Sequence, residues 1–154
     1  MIKKRLAVLK KSFKKLEIDG YVVPKNDEFF SEYSNPDRLK IISNFDGSAG
    51  FAIILKEKNY LFVDGRYSIQ AEIQSGQNFK VVNYSKIFNC NLFKNKILGI
   101  DPKLFTHKQV NNFFLKNNKV KKINENLIDK LHKKKTKIRK TFLFIAQKGC
   151  WRKF

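Results

Sequence analysis

The sequence predicts an α/β domain in which helices cover a mixed β-sheet. Its 154 residues suit one domain that buries a full core, and a second full domain does not fit. Short apolar runs of strand length alternate with segments of helical period along the chain, which is typical of a layered α/β architecture. A hydrophobic content of 42%, including 15 phenylalanines, supplies the side chains for such a core.

The first predicted elements are an amphipathic helix and a short strand. The helix ends near Asp19-Gly20, and Tyr21-Val23 follows as a strand that Pro24-Asp27 ends with a turn. Lysines separate the apolar residues of the helix, so its apolar stripe belongs to the core. That stripe consists of Leu6, Leu9, Phe13 and Leu16.

The middle of the chain predicts two single helical turns, a glycine-rich bend and a β-hairpin. The turns cover Glu28-Tyr33 and Arg38-Ile42, and the bend covers Asp46-Gly50. The strands Phe51-Leu55 and Tyr60-Val63 are separated by a polar link whose length suits a hairpin.

Further helices and strands complete the predicted layers. A helix over Tyr67-Gln74 carries Ile69 and Ile73 on one face, and a later amphipathic helix contains Val110 and Phe114. The remaining predicted strands are Phe79-Val82, Ile97-Ile100 and Val120-Ile123.

The formal net charge of +20 invites a role in nucleic-acid binding, but its distribution argues against one. Residues 1–100 carry 17 basic and 10 acidic side chains, whereas residues 101–154 carry 16 and 3. No zinc finger, RNP-like aromatic motif or KH loop accompanies the excess. We therefore predict solvated surface lysines and no nucleic-acid partner; a basic binding module for nucleic acid or anionic surfaces is the alternative function.

Cellular location and redox state follow from the apolar runs and the cysteines. No apolar run approaches the roughly 20 residues that span a bilayer, which predicts a cytoplasmic protein without a membrane partner. Cys90 and Cys150 are far apart and lack neighbours at metal spacing, so we expect free thiols.

The sequence offers no catalytic residue and no metal ligand. His107 follows Thr106 at a predicted helix start, which favours a capping or surface role, and His132 lies in a lysine run. Ser48 lacks the flanking pattern of a hydrolase nucleophile, so the small residues around it are explained by a tight bend.

Arg66 is the most informative polar residue. It follows two apolar runs, which suggests a buried position, and it lies in Asp64-Gly65-Arg66-Tyr67 at the end of a strand, where ligands of α/β domains bind. Its guanidinium can bind a carboxylate or a backbone carbonyl. A structural ion pair with Asp64 or Asp46 is the alternative.

Several motifs, taken in order and spacing, resemble the creatinase-type N-terminal domain of Xaa-Pro aminopeptidases over residues 3–132. They are Tyr21-Val22-Val23-Pro24, Asp27-Glu28, Glu32-Tyr33, Asn44 to Gly50 and Val63 to Tyr67. Gly99-Ile100-Asp101-Pro102 and Asn126-Leu127-Ile128-Asp129 fit the closing strand and the last helix of that domain.

The resemblance implies a ribonuclease H-like topology and a module that is not itself catalytic. In the family, catalysis belongs to a C-terminal domain that binds two divalent ions, usually manganese, and that domain is absent here. Longer relatives also carry a second N-terminal domain, which would begin just after Leu131. The implied partners are these two domains, proline-containing peptides and a second copy of the chain. Alone, the chain should be inactive and hold no cofactor.

The resemblance also implies a role for Arg66. In family members the arginine of this motif lies at the mouth of the catalytic cleft and helps to bind the peptide. The implied supporting residues are Asp46, Gly47, Ser48, Gly50, Asp64, Gly65 and Tyr67.

The chain departs from the family pattern after Lys133. Residues 133–154 form a basic and apolar tail, where the family continues into a linker and the next domain. A truncated product of a longer gene is the expected explanation, and a free-standing domain is the alternative. We expect the tail to pack poorly against the domain.

Overall fold

The computed structural model describes residues 1–31, 33–89 and 91–132, without the side chains at 88 and 89. It confirms the predicted α/β class, because a single mixed six-stranded sheet in the order β4-β3-β2-β1-β5-β6 carries helical layers on both faces. The strands are β1 (Gly20–Pro24), β2 (Gly50–Leu55), β3 (Asn59–Val63), β4 (Lys80–Asn83), β5 (Ile97–Ile100) and β6 (Lys119–Lys122). The α-helices are α1 (Ile2–Leu16), α2 (Arg38–Ser43), α3 (Ser68–Ser75), α4 (His107–Val110) and α5 (127–132).

The central strands are apolar on both faces because both faces are covered. In β2, Ala52 and Ile54 pack into the layer formed with α1, α2, α3 and α5, while Phe51 and Ile53 pack into the opposite layer. The opposite layer is built from short helical turns and from Phe114. This arrangement explains why the strands appear as continuous apolar runs without polar alternation.

Helix α1 confirms the predicted amphipathic helix. Leu6, Leu9 and Phe13 are buried, and Leu16 packs against the same cluster. The helix ends at Glu17, which adopts a left-handed conformation with φ of 52°, a common way to end a helix.

Three elements differ from their predictions. No helical turn is described over Glu28–Tyr33, because the Asp27 carboxylate accepts hydrogen bonds from the backbone N–H groups of Phe29 and Ser31, both at 2.9 Å, and holds a loop instead. The later amphipathic helix is interrupted: a π-helical turn, Asn111–Leu115, follows α4. The Gly99 motif does not form the closing strand, since β5 lies between β1 and β6.

Helix α3 presents an unexpected exposed face. Its predicted extent is confirmed within a few residues, but Ile69 and Ile73 are 74% and 77% exposed. Ala71 and Ser75 form the buried face of the helix instead.

Candidate functional site

The candidate site lies at one end of the sheet, where three strands bring their loops together. Val63 at the end of β3 pairs with Gly50 at the start of β2 and with Asn83 at the end of β4. The glycine-rich bend that precedes β2 and the turn that follows β3 therefore meet at the same sheet margin.

Arg66 lies on the surface at this margin. Its side chain is 77% exposed, so the buried position suggested by the flanking apolar runs is wrong. The Nε group donates to Asp64 Oδ1 at 3.0 Å, and the guanidinium carbon lies 5.7 Å from the centre of the Tyr67 ring. Its two terminal nitrogens have no partner within the described part of the chain. These two nitrogens, which bind carboxylates and carbonyls through parallel N–H groups, are therefore available to a ligand.

The local turn creates the pair between Asp64 and Arg66. Asp64 caps the 3-10 turn Gly65–Tyr67 by accepting the backbone N–H of Arg66 at 3.0 Å. This backbone hydrogen bond, followed by the bond from the guanidinium, lowers the pKa of the Asp64 carboxyl. Because the pair is exposed, it orients Arg66 more than it stabilises the fold.

Tyr67 joins the arginine turn to the glycine-rich bend. Its hydroxyl lies 2.8 Å from Ser48 Oγ, within hydrogen-bond distance. The Tyr67 ring meets the fully buried Phe45 edge to face, with ring centres 6.0 Å apart. The two motifs recognised in the sequence are thus in direct contact.

Two glycines of the bend are required by close contacts. A Cβ at Gly47 would lie 2.3 Å from the Phe45 ring, and a Cβ at Gly50, where φ is +155°, would lie 2.7 Å from the carbonyl oxygen of Phe62. Real Cβ atoms do not approach backbone so closely, so only glycine fits at Gly50. Gly65 is less constrained, because the nearest atom to a Cβ there is 3.2 Å away.

Asp46 attaches the bend to α3 and does not pair with Arg66. Its Oδ1 accepts from the side-chain amides of Gln70 and Gln74 at 2.9 and 2.7 Å, and its Oδ2 lies 3.3 Å from Lys40 Nζ. Its own backbone N–H donates to Gln74 Oε1 at 3.0 Å. Of the two carboxylates considered as ion-pair partners of Arg66, only Asp64 is one.

The hydrogen bonds to the Asp46 carboxylate predict that part of the free energy of unfolding depends on pH in the acid range. The hydrogen bond from Gln74, assisted by those from Lys40 and Gln70, lowers the pKa of the Asp46 carboxyl. Its contribution is present above the unfolded-state pKa of about 3.9 and is lost as the pH falls through the lowered folded-state value. We expect Asp46→Asn to lower the free energy of unfolding by less than about 1 kcal/mol at pH 7, because the carboxylate is exposed.

The measurement is urea unfolding of both proteins between pH 7 and pH 2.5. The difference between wild type and Asp46→Asn should shrink toward the acid end. Glu57→Gln removes an exposed carboxylate elsewhere and should show a smaller difference throughout. A difference for Asp46→Asn that stays constant down to pH 2.5 would contradict the assignment.

Sequence reasoning missed the residues that hold the site together. Phe45 lies within the Asn44 to Gly50 motif, but the sequence does not indicate that it contacts both Gly47 and Tyr67. Gln70 and Gln74 were detectable from their spacing of four, which places both amides on one face of α3.

His107 and His132 are both exposed on the surface. Thr106, not His107, caps α4, in a capping box with Gln109. His107 has the surface position that the sequence suggested, and its Nδ1 lies 3.1 Å from the Asn111 amide. No group of three or more His, Cys, Asp or Glu side chains in the described ranges could hold a metal ion. Across those same ranges, no helix is long and apolar enough to cross a membrane. Glu32, Cys90, Cys150 and the tail 133–154 lie outside the described residues.

Comparison with known proteins finds relatives that are named as Xaa-Pro aminopeptidases. A probable Xaa-Pro aminopeptidase P of Laccaria bicolor is 37% identical over 139 residues, which are 81% of this chain and 22% of that protein. A probable Xaa-Pro aminopeptidase P of Coprinopsis cinerea is 46% identical over 81 residues, or 51% of this chain and 13% of that protein. The chain thus spans about a fifth or less of the length of these relatives.

Solved structures share the fold. The X-prolyl aminopeptidase of Caenorhabditis elegans, described as a cytosolic enzyme with a di-nuclear active site, superposes with a TM-score of 0.73 at 24% identity, over 84% of this chain and 25% of that chain. The N-terminal domain of the cytoplasmic peptidase PepQ of Mycobacterium tuberculosis gives 0.62 at 17% identity, over 83% of this chain and 98% of that domain. The family model for the creatinase/prolidase N-terminal domain matches residues 5–131. The chain therefore belongs to the creatinase/prolidase N-terminal domain family.

Proposed function

We propose that this chain acts as the non-catalytic N-terminal module of a proline-specific (Xaa-Pro) aminopeptidase and contacts the peptide through Arg66. The names of the relatives support the substrate class. The observation that carries the proposal is the exposed guanidinium of Arg66, which Asp64 holds by one nitrogen and leaves open at the other two. The guanidinium binds a carboxylate or carbonyl oxygen of the peptide.

The module also narrows the cleft to small peptides and contributes to dimer contacts. Exposed apolar side chains support this part of the proposal. Ile69 and Ile73 lie four residues apart on one face of α3, so their exposed side chains form an apolar surface for a neighbouring domain or subunit. Phe29 and Tyr33 are also exposed, each at 85%. Two divalent ions, which we propose to be manganese, belong to the catalytic domain of the longer protein. The di-nuclear active site of the Caenorhabditis elegans enzyme supports the number of ions.

A hydrolysis assay tests the non-catalytic assignment. Purified chain is incubated with the tripeptide Ala-Pro-Ala and Mn²⁺, and free alanine is measured against a blank without protein. We expect no release above the blank. Metal-dependent release of the N-terminal alanine by this chain would overturn the assignment.

A binding titration tests Arg66. We expect Arg66→Ala to weaken binding of Ala-Pro-Ala by about fivefold, as measured by NMR shift changes, because the hydrogen bonds of an exposed charged group are partly screened by water. Arg66→Lys keeps the positive charge but loses the planar guanidinium. Its affinity for the peptide should therefore lie between the affinities of wild type and Arg66→Ala. Lys58→Ala removes an exposed positive charge elsewhere and should bind like wild type.

The titration also identifies the acceptor on the peptide. If Arg66 binds the terminal carboxylate, the affinity of Ala-Pro-Ala amide should be equally low for wild type and for Arg66→Ala. If Arg66 binds a backbone carbonyl, the amide should bind wild type as tightly as the acid. Equal binding of the acid to wild type and Arg66→Ala would exclude a peptide contact for Arg66.

A further inference from the structure

A cavity lined by aromatic residues opens beside the candidate site. Its volume is about 250 Å³, and it lies between the start of β2 and the π-helical turn. Ser48 lines it and also lies 2.8 Å from Tyr67, so the cavity adjoins the Arg66 turn. Its aromatic lining residues are Phe30, Phe51, Tyr84, Phe105, Phe113 and Phe114.

The backbone near the cavity is unusual on two sides. Phe30 has a φ of +60°, which is rare for a bulky side chain and is tolerated where surrounding contacts enforce it. On the other side, the π-helical turn Asn111–Leu115 contains Phe113 and Phe114. Such turns occur frequently at functional sites, because they shift side chains out of the regular helical register.

Two side-chain amides line the cavity and keep one group open each. The Asn26 Nδ2 group donates to the carbonyls of Asp27 and Leu104 at 2.9 and 3.0 Å, which leaves Oδ1 without a partner in the described part of the chain. The Oε1 of Gln109 accepts from the backbone N–H of Thr106 at 2.9 Å, which likewise leaves Nε2 open. One open acceptor and one open donor match the N–H and C=O of a peptide group.

The size and charge of the cavity narrow the choice of ligand. An apolar cavity of about 150 Å³ binds benzene in a well-studied protein, so the present cavity is large enough for one ring with its linking carbon. It is smaller than the roughly 300–1,000 Å³ of sites for whole cofactors. Lys25 also lines it, but Asp37 lies 2.5 Å from Lys25 Nζ and compensates its charge, so the cavity is not an anion site.

We propose that this cavity binds one aromatic or large apolar side chain of a peptide, while Asn26 and Gln109 bind the peptide group next to it. The inference deepens the proposed function, because it adds a side-chain preference to a peptide that Arg66 contacts from the neighbouring turn. It does not require Arg66 for binding of the side chain itself.

The test uses a ligand without a carboxylate, N-acetyl-L-phenylalanine amide, with N-acetylglycine amide for comparison. We expect the phenylalanine compound to bind the full chain with a dissociation constant of about 1 mM, the level that ligand efficiency allows for its size, and the glycine compound at least about tenfold more weakly. Backbone NMR shifts should change at residues 48–50 and 113–114. Lys58→Ala removes an exposed positive charge outside the cavity and should bind the phenylalanine compound like wild type.

Two cavity variants and one control variant keep the test specific. Ala49 is exposed at the rim, so Ala49→Leu should fill the opening and abolish binding of the phenylalanine compound, whereas Ala7→Leu on the exposed side of α1 should not. Phe30→Ala removes one wall and should weaken binding about fivefold or more. Equal binding of the phenylalanine and glycine compounds, or no binding of either, would overturn the cavity proposal. Neither result would decide the role of Arg66, which the titration with Ala-Pro-Ala tests separately.

Discussion

Replacing Phe45 with alanine is expected to lower the free energy of unfolding by about 3–5 kcal/mol, the cost of truncating a buried phenylalanine. Phe45 is fully buried between α2 and the glycine-rich bend. Its ring would lie only 2.3 Å from a Cβ at Gly47 and meets Tyr67 edge to face. The bend cannot collapse onto the space left by the ring without moving Ser48 and Tyr67, so we expect little relaxation.

Guanidinium chloride unfolding followed by circular dichroism measures this effect. Phe29→Ala serves as the matched control, because Phe29 is 85% exposed and its truncation should change stability by less than about 0.5 kcal/mol. We also expect Phe45→Ala to disturb the NMR signals of Arg66 and Tyr67 more than those of β5. A stability loss below about 1 kcal/mol would show that the bend is not anchored by this ring.

The fold was predictable because its central strands are apolar on both faces and strong turn residues lie between them. The glycine-rich bend and the Asp64-Gly65 turn bracket the hairpin, and the structure places the strand ends within one or two residues of the predicted ones. The loop after β1 was not predictable from periodicity, since Asp27 diverts the backbone through side-chain hydrogen bonds that compete with a helix.

The candidate site was only partly predictable because its contacts join residues distant in sequence. Local order placed Asp64 next to Arg66, and that pair exists. Whether Asp64 or Asp46 pairs with Arg66 depends on the position of α3, because Gln70 and Gln74 of that helix hold the Asp46 carboxylate. The exposure of Arg66 was misjudged, because neighbouring apolar runs say nothing about a residue in the turn that leaves the sheet.

Breaking the ion pair between Arg38 and Asp129 is the second change that we expect to reduce the free energy of unfolding strongly. The Nε and Nη2 groups of Arg38 both donate to the Asp129 carboxylate at 2.9 Å, and the two side chains are only 11% and 25% exposed. The pair joins α2 to α5, and its two residues are 91 positions apart in sequence. We expect Asp129→Leu to lower the free energy of unfolding by about 3 kcal/mol, because it leaves a mostly buried guanidinium without its counterion.

A double variant separates this penalty from the net value of the pair. Arg38→Met combined with Asp129→Leu replaces both charges by apolar groups, and we expect it to be more stable than Asp129→Leu alone by about 1–3 kcal/mol. Glu17→Gln breaks the exposed pair between Glu17 and Lys121 and should cost less than about 0.5 kcal/mol. Urea unfolding of wild type, Asp129→Leu, Arg38→Met, the double variant and Glu17→Gln measures these differences. A loss in the free energy of unfolding of the double variant that equals the sum of the losses of Arg38→Met and Asp129→Leu would show that the uncompensated charge is not the cause. In that case the two side chains contribute to stability independently.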